Sequence, residues 1–212
     1  MPLLDIAAAA RGLMAGGCLV YPTETFFALG ALATEVAALA RIVAIKARPA
    51  TKPLPLLVGE MGQFAAILPE GFASGPLAAD FDDLARRFWP GPLSLVVPCR
   101  EELPALVKDA AGRVSVRFTP HPTAAALCRL AGGALVATSA NVSGNPPAAS
   151  PEALDAAVVA AADGVVTEGP APGGGVASTV AGLLGGRRLR IFREGATPLS
   201  ALRAAGYALE PC

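Results

Sequence analysis

Short apolar runs bounded by glycine and proline recur along the chain and alternate with helical patterns. The runs predict strands near residues 18–22, 53–59, 92–98, 113–118, 134–140, 164–169, 178–184 and 188–193. Helical spacing predicts helices near residues 3–15, 34–48, 60–68, 76–88, 122–131, 151–161 and 198–205. The last two apolar runs lie so close together that they predict a hairpin. The pattern therefore indicates an α/β (α+β) fold with an open, twisted mixed β-sheet flanked by helices.

Polar residues at the ends of two apolar segments predict where the helices begin and end. Asp5 is placed to cap the first helix, which should end at Gly16. The clearest helix should start at the cap residue Thr34 and stop before Pro49, with basic residues in its last turn.

Composition narrows the class of protein. The 212 residues show no convincing linker, and 53% of them are hydrophobic, which favours a single domain over residues 1–212. Seventeen basic and seventeen acidic residues cancel, so any basic site must be local. No apolar run approaches the roughly 20 residues of a membrane span, so we expect a cytoplasmic protein with no membrane partner. Four scattered cysteines and one histidine make a zinc site improbable.

Several polar clusters interrupt the apolar pattern, and each has a local explanation as well as a functional one. Basic residues after the Thr34 helix could stabilise its carboxyl end or clamp phosphate. The alternation of residues 113–118 places Arg113, Ser115 and Arg117 on one face, which could meet solvent or an anion. Residues 137–144 could be an ordinary turn or a hydroxyl-rich site. The glycine-rich segment 168–179 lacks the lysine of a Walker A loop and predicts a mobile loop.

Seven short motifs occur in an order that resembles the YrdC family of threonylcarbamoyl-AMP synthases. They are PTET, KARP, WPGPLSLV, VSVRFTPHP, ATSANVSG, STV and FREG, between about Tyr21 and Gly195. The resemblance implies a YrdC-like fold and a nucleotidyltransferase that joins L-threonine, bicarbonate and ATP, with Mg²⁺, into threonylcarbamoyl-AMP and pyrophosphate. It also implies a downstream transferase machinery that moves the threonylcarbamoyl group to tRNA.

The resemblance assigns roles to particular residues of this chain. It implies catalytic roles for Lys46 and Arg48. It implies that L-threonine is bound by Thr23, Thr25, Arg117, Asn141 and Ser178. It implies that ATP is bound by Lys46, Arg48, Lys52, Arg113, Ser139, Asn141 and Arg193, with no metal held by protein side chains alone. The mechanism needs no nucleophilic side chain, because the protein mainly positions two anions and offsets their charge.

Three positions depart from the family pattern. Phe27 replaces a tyrosine, Ala28 replaces a glycine and Gly182 replaces an acidic residue. Two other functions remain open at this point. One is a module that binds tRNA or double-stranded RNA without adenylation, and the other is a paralogue that acts on a different small acid.

Overall fold

The computed structural model describes residues 2–49 and 51–212. Six α-helices are found in these residues: α1 Ile6–Met14, α2 Val36–Ile45, α3 Ala78–Phe88, α4 Pro122–Leu130, α5 Ala156–Ala161 and α6 Leu199–Ala204. Short 3₁₀ helices cover Met61–Ala66, Phe72–Ser74, Ala105–Val107 and Pro151–Ala153. Predicted helices 60–68 and 151–161 are thus partly 3₁₀, and the second is divided at Asp155, whose side chain caps α5 by accepting from Ala157 N at 3.0 Å.

Eleven strands are present in the described residues: β1 Leu19–Pro22, β2 Phe27–Gly30, β3 Leu56–Val58, β4 Leu93–Pro98, β5 Arg113–Phe118, β6 Leu135–Val136, β7 Thr138–Ser139, β8 Gly164–Val165, β9 Thr179–Gly185, β10 Arg188–Arg193 and β11 Ala208–Pro211. They form a small sheet in the order β7-β2-β1-β8 and a large sheet in the order β11-β10-β9-β4-β5-β3-β6. Both sheets mix parallel and antiparallel pairs, and helices flank them. The predicted fold class is confirmed, although hydrogen bonding divides the strands between two sheets where one was expected.

The division falls inside one predicted strand. The run at 134–140 contributes β6 to the large sheet and β7 to the small one, with Ala137 between them. A single apolar run carries no signal that its two halves will pair with different neighbours. The two sheets therefore meet at Ala137, which we call the crossing between the sheets, and a cavity lies beside it.

Local sequence explains the main elements. In β5, Val114 and Val116 are completely buried while the alternate residues face the other way, as the period of two predicts. The predicted hairpin is confirmed by antiparallel β9 and β10, which are joined by Gly186 and Arg187 with φ angles of +60° and +57°. The predicted cap at Asp5 is confirmed, because its Oδ1 accepts from Ala8 N at 2.6 Å.

The helix predicted from Thr34 differs at both ends. It begins at Val36, and Glu35 holds the cap position without a side-chain hydrogen bond. It ends at Ile45, and Ala47 takes a positive φ of 46°. This turn ends the helix before Arg48. The chain then changes direction, and Arg48 lies beside the crossing between the sheets.

Candidate functional site

A cavity of about 330 Å³ lies where the two sheets face each other. The small sheet and its loops contribute Thr23, Thr25, Phe26, Phe27, Ala28, Thr138 and Ser139. The large sheet contributes Leu56, Ser94, Ser115, Arg117, Val180 and Arg193, and the adjoining segments add Arg48, Pro53, Pro55, Ala137, Pro147, Ala177 and Ser178. The cavity is therefore walled by hydroxyl groups, apolar groups and arginines.

Three arginines, Arg48, Arg117 and Arg193, supply the charge of the lining, and no carboxylate of the described residues lines the cavity. Burial lowers the pKa of all three guanidinium groups from their ordinary value. The pKa of Arg193 is lowered further by the positive charges of Arg117 and Arg48, so the three groups are close enough to repel one another. Such a convergence of buried cations is stabilised by an anion.

Arg117 is held from behind by Glu24. Its Nη1 lies 2.7 Å from Glu24 Oε1, and the two side chains are only 8% and 14% exposed. Glu24 Oε2 accepts a hydrogen bond from Thr119 Oγ1 at 2.8 Å. Glu24 Oε1 makes no well-directed hydrogen bond within the described residues, so the contact with Arg117 is an ion pair by distance alone. The pair fixes Arg117 while leaving other guanidinium donors for the cavity.

Arg193 and Ser178 form a second anchored unit. Arg193 donates from Nε and Nη2 to the carbonyl oxygen of Ser178 at 3.0 and 2.9 Å, and from Nη2 to its Oγ at 3.1 Å. Gly195 permits this approach, since a Cβ there would lie 2.2 Å from the carbonyl oxygen of Ala177. Gly195 therefore allows Arg193 to form these hydrogen bonds with Ser178.

Lys46 supports the cavity wall without lining it. The side chain is 2% exposed, and Nζ donates to the carbonyl oxygens of Ser139 and Asn141, the latter at 2.6 Å. The carbonyl oxygen of Lys46 accepts from Ser143 N at 3.0 Å. Burial, with the nearby charge of Arg48, lowers the pKa of Lys46 from 10.5 to about 8. Lys46 thus holds residues 139–143 in place through hydrogen bonds with Ser139, Asn141 and Ser143.

Comparison with known proteins identifies the family. Residues 11–195 match the Sua5/YciO/YrdC family model, which is described as "Telomere recombination". The chain belongs to this family. Curated relatives called threonylcarbamoyl-AMP synthase include one from Halorhodospira halophila, 41% identical over 67% of this chain and 71% of its own. Another, from Xanthomonas campestris pv. campestris, is 35% identical over 76% of this chain and 84% of its own. The resemblance seen in the motifs is confirmed.

Solved structures give the same result for the fold. P. abyssi Sua5 complexed with L-threonine superposes with a TM-score of 0.84 at 30% identity, over 97% of this chain and 58% of that one. This chain therefore spans about three fifths of that Sua5 protein. E. coli YciO superposes with a TM-score of 0.71 at 21% identity, over 90% of this chain and 89% of that one, and supports the fold alone.

The structure places the threonine-site candidates unequally. Thr23, Thr25, Arg117 and Ser178 all line the cavity of this family member. Asn141 is buried outside the lining, where its Nδ2 donates to the carbonyl oxygens of Val142 at 2.9 Å and Asn145 at 2.6 Å. These bonds hold the turn after Ser139, so Asn141 supports the cavity wall and does not line the cavity.

The ATP-site candidates also separate. Arg48, Ser139 and Arg193 line the cavity, whereas Lys46 lies behind its wall. Lys52 is exposed outside the lining, and its carbonyl oxygen accepts from Arg48 Nε at 3.0 Å. Arg113 is also outside the lining, paired with Asp109 at 2.8 Å. Arg113 shares a face of β5 with Arg117, but four residues of strand separate them by about 13 Å.

Sequence reasoning missed one polar residue of the lining, Ser94, whereas Ser115 and Thr138 lie in segments that it offered as candidate sites without assigning them a ligand. Ser94 carried a usable signal, because it is the only polar side chain in the apolar run PLSLVVP. A hydroxyl in a strand buried on both faces needs a partner, and Ser94 Oγ has one in Ser178 Oγ at 3.0 Å.

Two of the three departures from the family pattern, Phe27 and Ala28, lie in the lining and shape the small-sheet wall. Gly182 lies outside it. A Cβ at Gly182 would approach the Phe192 ring to 2.8 Å, so an acidic residue there would require that ring to move.

The glycine-rich segment, residues 168–179, has no helix or strand before β9 begins at Thr179, and it is attached to the PTET loop. Gly173 N donates to the Glu24 carbonyl oxygen at 3.2 Å, and Gly174 N to that of Thr25 at 2.9 Å. Farther back, His121 Nε2 lies 2.9 Å from the carbonyl oxygen of Pro170. The segment therefore joins the threonine-lined wall to Ser178, and its predicted mobility stays a prediction.

Two other kinds of reactive centre find no support: a metal cluster in the described residues and an activated thiol at Cys18 or Cys128. Among residues 2–49 and 51–212, no three His, Cys, Asp or Glu side chains come together as metal ligands. Burial raises the pKa of the Cys18 thiol to about 11 and that of Cys128 to about 12, which keeps both protonated at neutral pH. None of the described helices combines the length and apolar character needed to cross a bilayer.

Proposed function

We propose that this chain is a threonylcarbamoyl-AMP synthase, an adenylate-forming nucleotidyltransferase acting on L-threonine, bicarbonate and ATP. The observation that carries the proposal is the cavity in which Arg48, Arg117 and Arg193 converge among hydroxyl groups, with no carboxylate among the described residues of its lining. Relatives at 35–41% identity are named for this activity, and a related Sua5 structure contains L-threonine. We also propose that residues 1–212 act as one domain, since one hydrophobic cluster includes side chains of both sheets.

The proposed reaction joins two anions. The free amine of threonine takes up bicarbonate with loss of water, which gives a carbamate. A carbamate oxygen then attacks the α-phosphorus of ATP, the bond from that phosphorus to the bridging oxygen breaks, and pyrophosphate leaves. Arg117 would hold the threonine carboxylate, and Arg48 and Arg193 would offset phosphate charge, since all three line the cavity. The surrounding apolar wall strengthens these interactions by excluding water.

Mg²⁺ would enter as the complex with ATP. A divalent cation held by the protein itself would need carboxylate ligands, and the lining offers arginines and hydroxyl groups instead. The phosphate oxygens of ATP would therefore be the ligands of Mg²⁺. The metal would supply charge neutralisation on the phosphates. Lys46 would keep the wall at Ser139 in place while the nucleotide binds.

We further propose that the product serves a transferase machinery that modifies tRNA, and that the protein works in the cytoplasm. Product transfer requires a partner because the described cavity, about 330 Å³ in volume, is sized for small molecules. Adenylation activity is the property that separates the main proposal from the RNA-module alternative, which has none.

The test is pyrophosphate release by the purified protein with Mg²⁺ and ATP, with threonine and bicarbonate each omitted in turn. We expect release only when both are present, and detection of threonylcarbamoyl-AMP by mass spectrometry. Arg48→Met should abolish release, whereas Arg86→Met, which changes a solvent-exposed arginine of α3, should not. Release with another acid in place of threonine would favour the paralogue. No release, with RNA affinity that falls steeply with salt, would favour the RNA module.

A further inference from the structure

Four strands of the large sheet present one row of side chains to the cavity. Register pairs Arg193 of β10 with Val180 of β9, and Val180 with Ser94 of β4. Leu95 of β4 pairs with Val116 of β5, so the next position opposite Ser94 is Arg117. The row thus runs from one arginine to the other, and Ser94 with the adjacent Ser178 lies between them.

The two serines are joined in a way that leaves one hydroxyl hydrogen free. Ser94 Oγ and Ser178 Oγ are 3.0 Å apart and buried, and each hydroxyl has a single hydrogen. Arg193 can only donate, so its 3.1 Å bond to Ser178 Oγ uses an acceptor position there. Whichever serine donates to the other, one hydroxyl hydrogen of the pair remains. Because both serines line the cavity, that hydrogen is available to an oxygen of a bound ligand.

The position of this donor suggests which oxygen it meets. In the proposed intermediate, the carbamate group is attached to the threonine nitrogen on one side and faces the α-phosphorus on the other. The row has the same order, with Arg117 for the carboxylate, the serine pair in the middle and Arg193 on the phosphate side. We propose that the Ser94–Ser178 pair binds bicarbonate and then the carbamate formed from it. Ser94, on this basis, takes part in substrate binding, either by donating to the ligand itself or by orienting the Ser178 hydroxyl toward it.

The inference rests on the proposed function, and the experiment separates the two. Steady-state pyrophosphate release is measured for the wild type and for Ser94→Ala in degassed buffer, with bicarbonate, threonine and ATP varied one at a time. Loss of a hydrogen bond to an anion should raise the KM for bicarbonate about tenfold or more, because such bonds are among the stronger ones in proteins. The KM for ATP and the Kd for threonine without bicarbonate should stay within about twofold of wild type.

Thr179→Val is the matched control. Thr179 is a buried hydroxyl next to Ser178, but it donates to the Thr197 carbonyl oxygen at 2.6 Å and lies outside the cavity lining. Its replacement should leave the KM for bicarbonate unchanged. If Ser94→Ala does not fold, Ser94→Cys keeps the shape with a weak donor and should show the same selective rise.

Each outcome has one meaning. A selective rise in the KM for bicarbonate supports the assignment. An unchanged value, or an equal rise for all three substrates, overturns it while the synthase proposal stands. No pyrophosphate release by the wild type removes the proposed function itself, and the inference with it.

Discussion

Removal of one partner from the buried ion pair behind the cavity should destabilise the fold by several kcal/mol. Glu24 and Arg117 are 2.7 Å apart, and their side chains are 14% and 8% exposed. Replacing Glu24 by glutamine removes the charge but keeps the size and one hydrogen bond to Thr119. Arg117 would then be a buried cation without its anion, an arrangement that costs about 3–5 kcal/mol when one partner of such a pair is deleted. Since glutamine keeps part of the contact, we expect about 3 kcal/mol.

The assay is urea denaturation at pH 7 followed by circular dichroism. Glu70→Gln is the control, because Glu70 is 90% exposed and 3.9 Å from Arg100, and an exposed pair of this kind contributes about 0–1 kcal/mol. The double variant Glu24→Gln/Arg117→Met should lose less than the sum of its single changes, since it removes both charges. A loss below about 1 kcal/mol for Glu24→Gln would refute the view that burial makes this pair costly to break.

Two further predictions concern the elements around the cavity. Lys46 has a pKa of about 8 against an ordinary 10.5, so the unfolded chain binds more protons between these values and the free energy of unfolding should rise with pH. Relative to Lys46→Met, the wild type should gain roughly 2 kcal/mol between pH 7.5 and 10 in urea denaturation, and a difference independent of pH would contradict this. Residues 168–178 contact the PTET loop through Gly173 and Gly174, so ATP and threonine together should slow proteolysis there, measured by mass spectrometry of the fragments. Equal cleavage with and without the ligands would show that the segment does not close over them.

Local sequence determined the elements and the direction of many side chains. Period-two alternation put Val114 and Val116 into the core and Arg117 on the opposite face. Glycines at the turn determined the β9–β10 hairpin. Seven ordered motifs were sufficient to recognise the family, because each one records the steric and hydrogen-bonding needs of a site segment. These properties depend on neighbours within a few residues, which the sequence displays directly.

Tertiary structure alone decided which of the basic and polar residues meet. Arg113 and Arg117 share a strand face, yet only Arg117 lines the cavity, and Arg113 is paired with Asp109 instead. Lys46 carries a charge typical of phosphate sites, but its Nζ donates to the carbonyl oxygens of residues 139 and 141, which lie far from it in the chain. Ser94 stands between two arginines because β4 pairs with β5 on one side and with β9, from a distant part of the chain, on the other. Strand order is set by these nonlocal hydrogen bonds. A period of two in the sequence predicts which side of the sheet a residue faces, but it does not predict which residues it will contact there.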